Sequence, residues 1–311
     1  MQSTEPAYTG ASGRRLLKNR IKQAFEVLND CTLCPRMCHV DRNAGETGIC
    51  RTGKKAWLSS YNAHFGEEEP LVGSHGSGTI FFTHCNLLCS FCQNYDISHL
   101  GYGQKVSSDQ LASIMLHLQT SGCHNINFVT PSHVVPQILS ALDLAADKGL
   151  RVPLVYNSGG YDRVDTLALL EGIFDIYMPD FKFWDSDIAA ATCDARDYPE
   201  VAREAVQEMH RQVGDLYLDD NGVALRGLLV RHLVLPNDLA GTRQVMRFIS
   251  RRISSDTYVN VMSQYRPCGK ADEIHLLAGK LSGEDYENAV QAAREEGLTR
   301  LDRPRKRFII L

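Results

Sequence analysis

From Gly78 to Ser263 the chain alternates short apolar runs with stretches of helical period. GTIFF, NINFVT, VPLVYN, IFDIYMPDF, LLVRHLVLP and YVNVMS read as six buried strands. SDQLASIMLHLQTSG, SHVVPQILSALDLAADKG, VDTLALLEG, PEVAREAVQEMHRQVG and GTRQVMRFISRR read as the helices between them. Such alternation implies parallel strands in βα units, because a parallel neighbour is reached only by a long crossover. The fold class is therefore α/β. Spacing alone leaves open a barrel or a doubly wound open sheet, and in either the ligand sits at the carboxyl ends of the strands. The pattern is interrupted by a hairpin at GDLYLDDNGVALRG. PCGKADEIHLLAG looks irregular, and SGEDYENAVQAAREEG reads as a helix opened by Ser282.

With 311 residues, 43% hydrophobic and 23% charged, the composition is that of an ordinary globular protein. The net charge of -4 gives no general case for nucleic acid or an anionic membrane. The basic runs RRLLKNRIK and RPRKRF read as solvated faces. Residues 1–12 are polar and are expected to be disordered, and an amphipathic helix follows from Arg14 to Asp30. Ten cysteines in tight groups, with no secretory leader and no apolar run near membrane-spanning length, point to a reducing cytoplasm and to metal ligands in place of disulfides. Cys123, Cys193 and Cys268 stand alone and read as buried small hydrophobes.

Two cysteine groups carry the chemistry. Cys31, Cys34, Cys38 and Cys50 can close a tetrahedral zinc site or hold a second iron–sulfur cluster. The glycines around them make the segment depend on metal for its folding. It forms, with the first helix, an N-terminal extension over 1–75 ahead of a main domain over 76–311. AWLSSYNAHFGEEEP reads as an irregular strand pair between them. The second group is THCNLLCSFCQN, on the loop after the first apolar run, with Cys85, Cys89 and Cys92. Three thiolates can grip three corners of an iron–sulfur cube and leave the fourth iron open, whereas a structural zinc site wants a fourth protein ligand.

This stretch resembles the C-x3-C-x-Φ-C motif of the radical S-adenosylmethionine superfamily, with Phe91 as its aromatic. The resemblance implies a 4Fe-4S cluster on Cys85, Cys89 and Cys92. In that superfamily the open iron chelates the amino and carboxylate groups of S-adenosylmethionine, and reductive cleavage gives methionine and a 5'-deoxyadenosyl radical. It also implies a partial (β/α)6 barrel, which the six strands match. The ordered set CPRMC, CNLLCSFCQN, YNSGGY, MPDFK, RHLVLPN and NVMSQYRP is similar to a subgroup related to pyruvate formate-lyase activating enzyme.

The strand ends supply the remaining candidates. Thr130, Pro131, Ser132 and His133 replace the glycine-rich motif that the superfamily uses for the methionine ammonium, leaving Ser132 and backbone carbonyls for that contact. Ser132 also reads as a helix N-cap. Asn157 and Ser158 follow the third run, and Asp180 and Lys182 end the fourth, two apart and so on one side. By the resemblance Lys182 meets the S-adenosylmethionine carboxylate, and Asn157, Ser158, Met178 and Asp180 are candidates for a monovalent cation. His232, Asn260, Gln264 and Arg266 are candidates to face a substrate, although a histidine placed like His232 is more often a satisfied core residue than a catalyst. The partners implied are an external one-electron reductant of flavodoxin or ferredoxin type and a glycyl radical enzyme or peptide. The alternatives are modification of a small molecule or peptide aided by an auxiliary N-terminal cluster, and a non-enzymatic zinc or iron–sulfur binding module.

Overall fold

The computed structural model describes residues 5–302. Its strands are β1 Ala56–His64, β2 Ser77–Phe82, β3 Gln104–Val106, β4 Ile126–Val129, β5 Leu154–Ser158, β6 Ile176–Pro179, β7 Tyr217–Leu218, β8 Ala224–Leu233 and β9 Tyr258–Met262. Its helices are α1 Ala11–Glu26, α2 Glu69–Val72, α3 Tyr95–Ser98, α4 Ser108–Thr120, α5 Val135–Asp147, α6 Val164–Ala168, α7 Ser186–Cys193, α8 Tyr198–Val213, α9 Thr242–Phe248 and α10 Gly283–Glu295.

The six apolar runs are β2, β4, β5, β6, β8 and β9, paired in parallel in that order. The order never reverses, so there is no topological switch point and the doubly wound alternative is excluded. Right-handed crossovers that all step the same way put their helices on one face. Neighbouring helices accordingly pack together, α4 on α5, α6 on α8 and α9 on α10. Among the described residues β2 and β9 are not paired, so the array does not close.

The two faces of the array bury different things. Side chains alternate along a strand. One set, with Phe82, Phe128, Tyr156, Tyr177 and Val230, joins the large core under the helices. The other, with Val155, Ile176, Met178 and Leu229, forms a small inner core with Leu71 and Leu216. Asn157, Asp180, Arg231 and Asn260 share the parity of that inner set and lie beyond it toward the carboxyl ends.

Several expectations need correction. AWLSSYNAH forms a single strand, β1, antiparallel to both β2 and β3, so this part of the chain extends the sheet. Residues 1–4 of the stretch expected to be disordered lie outside the described residues, but its remainder is ordered: Tyr8 is fully buried and its hydroxyl donates to the Val152 carbonyl at 2.9 Å, Ala7 N donates to Asp175 at 2.8 Å, and α1 begins at Ala11. Helix α7 was not expected. Asp185 caps it by accepting from the backbone N–H groups of Asp187 and Ile188. Ser282 opens α10 through a capping box with Asp285, as read from the sequence. The hairpin is also present as β7 and the start of β8. The run RRLLKNRIK lies on α1, and RPRKRF lies outside the described residues. No described helix is long and apolar enough to cross a membrane.

Candidate metal and cofactor site

Cys85, Cys89 and Cys92 lie on the loop that leaves the carboxyl end of β2. Burial pushes the Cys85 thiol up to about 12, and nearby Cys89 and Cys92 add to the rise. A hydrogen bond with Cys193, then burial, raises Cys89, and burial followed by Cys89 raises Cys92. Metal binds only the thiolate form, so loading this loop would release protons. Their mutual influence puts the three sulfurs in one neighbourhood. Among the described residues, however, no three His, Cys, Asp or Glu side chains are gathered as a ready-made metal site. The donor set still fits an iron–sulfur cluster in kind, because it is all thiol and soft.

The loop is held in a costly shape. His84 and Leu88 sit in the left-handed region at φ 70° and 55°, about 1–2 kcal/mol each for residues with a Cβ. Leu87 N donates to Cys85 Sγ at 3.3 Å, Ser98 Oγ to Cys92 Sγ at 3.3 Å, and Ser90 N to the Thr192 carbonyl at 2.9 Å. Phe91 is buried, edge-on to Phe183 with centroids 5.9 Å apart and tilted against Tyr265 at 6.1 Å.

Across the strand ends runs a connected network. Lys182 Nζ donates to Asp180 Oδ2, and Arg231 Nε donates to Asp180 Oδ1 at 2.7 Å. Arg231 also donates to Asn157 Oδ1 at 2.8 Å and lies 4.0 Å from Glu68, which accepts from Asn260 Nδ2 at 2.8 Å. Burial would raise the Asp180 carboxyl, yet Arg231 and Lys182 outweigh it and hold the group below the usual carboxylate range. Glu68 is the opposite case, since burial lifts it and the more distant Arg231 only partly offsets the rise. The Lys182 ammonium is close enough to Cys89 and Cys92 to oppose the rise in both thiols. It thus joins the network to the cysteine loop. The resemblance assigned Asp180 and Asn157 to a monovalent cation, but here a guanidinium bridges them.

The N-terminal cysteines form a second neighbourhood. Cys31, Cys34, Cys38 and Cys50 line one small cavity with Val40, Arg42, Gly48 and His133, and its free space of about 10 Å³ suits a single water-sized sphere. Burial, then Cys50, pushes Cys34 up to about 12. Arg42 is buried against this site, with Nη1 3.8 Å from Cys31 Sγ and Nη2 donating to the His133 carbonyl at 2.9 Å. His39, the histidine in sequence beside Cys38, pairs with exposed Asp30 at 3.0 Å. A cleft of about 370 Å³ separates the two cysteine groups, with Cys50 and Arg51 among its lining on one side and His84 and Cys85 on the other.

Other expected residues fall elsewhere. His232 does not face the strand-end network. It is fully buried, with Nδ1 2.7 Å from the Phe181 carbonyl and Nε2 2.9 Å from Thr242 Oγ1, and burial pushes it down to about 4. It follows Arg231 on one strand, so the two must point to opposite faces. The Ser158 hydroxyl is committed to Asp162 Oδ2 at 2.6 Å. Ser132 is not the cap of α5, which begins after Val134, and its buried hydroxyl lies by Tyr156 and Asp162 without a bond of good geometry. Gln264 and Arg266 are exposed beyond β9. Sequence reasoning missed Glu68, which the acidic run GEEEP contains, and it missed Arg36 and Arg42, whose partners are mostly main-chain carbonyls.

No family model matches the chain. Among solved structures, the cobalamin-dependent S-adenosylmethionine radical enzyme OxsB with aqua-cobalamin and S-adenosylmethionine bound aligns with a TM-score of 0.38 at 10% identity, over 73% of this chain. This chain spans only 32% of that one. Methylornithine synthase (PylB) aligns with a TM-score of 0.46 at 13% identity, over 92% of this chain and 70% of that chain. By sequence, the uncharacterized protein MJ0674 of Methanocaldococcus jannaschii is 32% identical over 291 residues, 91% of this chain and 80% of that protein. Identity at that level along nearly the whole chain makes this protein a member of the family of MJ0674.

Proposed function

We propose that the protein is a radical S-adenosylmethionine enzyme built as a partial (β/α)6 barrel. Cys85, Cys89 and Cys92 would hold a 4Fe-4S cluster. The observation that carries this reading is the junction at the carboxyl ends: a loop with exactly the motif's three cysteines meets Lys182, itself paired with Asp180 beside Arg231. When bound, the cluster and S-adenosylmethionine supply one-electron cleavage to methionine and a 5'-deoxyadenosyl radical.

The chain's own residues have separate tasks. Lys182 offers a carboxylate partner next to the cysteine loop, and Asp180 keeps both neighbouring cations oriented. Arg231 and Asn157 complete a preformed polar floor around Asp180. Phe91, Phe183 and Tyr265 form an apolar wall that excludes water from the loop. The N-terminal cysteines would hold zinc, because their four thiols, which line one small cavity, are enough to close a tetrahedral site without a further ligand. That favours an activating-type role toward a glycyl radical enzyme or peptide over direct modification of a small molecule through an auxiliary cluster. The electron would come from a flavodoxin- or ferredoxin-type donor in the cytoplasm.

The test is dithionite-driven formation of 5'-deoxyadenosine by anaerobically reconstituted protein. The expected result is product from the wild type and none from Cys92→Ala. Product from that variant at the wild-type rate would sink the assignment.

A further inference from the structure

One side chain bolts the N-terminal cysteine segment to the second cysteine loop. Arg36 lies between Cys34 and Cys38. Its guanidinium donates to the main-chain carbonyls of Asn86 at 2.9 Å, Leu87 at 3.1 Å, Cys193 at 2.7 Å and Asp194. The Tyr161 ring lies 5.3 Å from it, and the Tyr161 carbonyl accepts from the Asn86 side chain at 2.7 Å.

The four acceptors are not arbitrary backbone. Asn86 and Leu87 are two of the three residues between Cys85 and Cys89, and they sit between the left-handed residues His84 and Leu88. Cys193 is a free cysteine whose thiol is the hydrogen-bond neighbour of the free Cys89 thiol. A guanidinium is suited to this task because its five N–H donors form a rigid fork, whereas an ammonium is a point charge on a flexible stem. A second tie runs in parallel, from Arg42 to the His133 carbonyl and from the His133 ring to the Thr83 carbonyl at 3.0 Å.

We propose that Arg36 is a positioning residue for the loop of Cys85, Cys89 and Cys92. Through it, the shape of that loop depends on the folding of the N-terminal cysteine site. The dependence makes retention of the cluster sensitive to a segment that supplies none of its ligands. The iron and zinc parts of this proposal rest on the function proposed above, whereas the hydrogen bonds of Arg36 do not.

Full-length wild type, Arg36→Ala, Arg36→Lys and Cys34→Ser are compared in zinc-loaded form by amide hydrogen exchange. After anaerobic reconstitution they are compared by iron release to a chelator and by the electron paramagnetic resonance of the reduced cluster. Arg36→Ala is expected to exchange the amides of residues 84–93 about tenfold faster, as loss of one charged hydrogen bond's closure predicts. Exchange in β4 to β6 stays unchanged, iron leaves faster and the resonance broadens. Cys34→Ser speeds loop exchange and iron release in the same way, on top of faster exchange in the core from its general loss of stability. Arg36→Lys resembles the alanine variant, because an ammonium cannot span four carbonyls, and it serves as the test if the alanine variant fails to fold. Unchanged loop exchange and iron release in Arg36→Ala or Arg36→Lys would overturn the proposal. A wild type that binds no iron would defeat the function proposed above and leave the exchange measurement to decide the role of Arg36.

Discussion

The two cysteine neighbourhoods differ in what faces the sulfurs. Four thiols at the N-terminus surround a space for one small sphere, with Arg42 buried against them as a fixed positive charge. Of the three thiols on the loop after β2, Cys89 and Cys92 lie within reach of the Lys182 charge, which pairs with Asp180 beside Arg231 and Asn157, while Cys85 lines the cleft. A closed set with its own counter-charge is suited to structure, and an open set beside paired charges is suited to chemistry. On the proposed reading the same residue type serves two purposes, and the neighbours decide which.

The largest expected effect separates the two at once. Cys92→Ala should abolish 5'-deoxyadenosine formation and iron binding while zinc stays bound, as measured by metal analysis and product chromatography. Cys34→Ser should do the reverse in order of severity. Loss of the N-terminal metal costs several kcal/mol of folding free energy, a fall in Tm of at least about 5 °C, with cleavage reduced only in proportion to the cluster lost.

Asp180→Asn comes next, because it leaves Lys182 and Arg231 buried without their anion. Breaking a buried pair in this way costs about 3–5 kcal/mol. Urea titration should show that loss, and S-adenosylmethionine binding should weaken as well. Arg231 sharpens the point about neighbours: because its guanidinium bridges Asp180 and Asn157, cleavage by the wild type should not change between sodium, potassium and choline salts. Arg231→Ala should acquire a dependence on the cation. The smallest effect on chemistry is expected from His232→Ala, which should lower stability by roughly 2–4 kcal/mol through lost packing and hydrogen bonds and leave cleavage per bound cluster unchanged.

How much of this was legible follows the range of each signal. The six parallel strands were readable because β2, β4, β5 and β6 are buried along nearly their whole length and β8 through its middle, which leaves apolar runs, and β9 keeps an apolar alternation. The partners of β1 were not, since its exposed half carries no such run and pairing with β3 joins residues far apart in sequence. The three clustered cysteines and the Asp180–Lys182 pair were readable from spacing within a few residues. Arg36 was not, because four carbonyls from two distant segments leave no side-chain pattern behind. For His232, strand parity decides between the core reading and the substrate-facing one: beside Arg231, only one of the two can face the site, and His232 is the core residue.

The central claim is that one cysteine set is open and catalytic and the other closed and structural. It is tested most directly by anaerobic metal and sulfide analysis of reconstituted wild type and of the Cys85/Cys89/Cys92 triple alanine variant, with 5'-deoxyadenosine read from the same samples. The account predicts about four irons and one zinc per chain, with the iron and the product lost together in the variant and the zinc retained. About eight irons falling to roughly four, or product that survives the triple substitution, would contradict it.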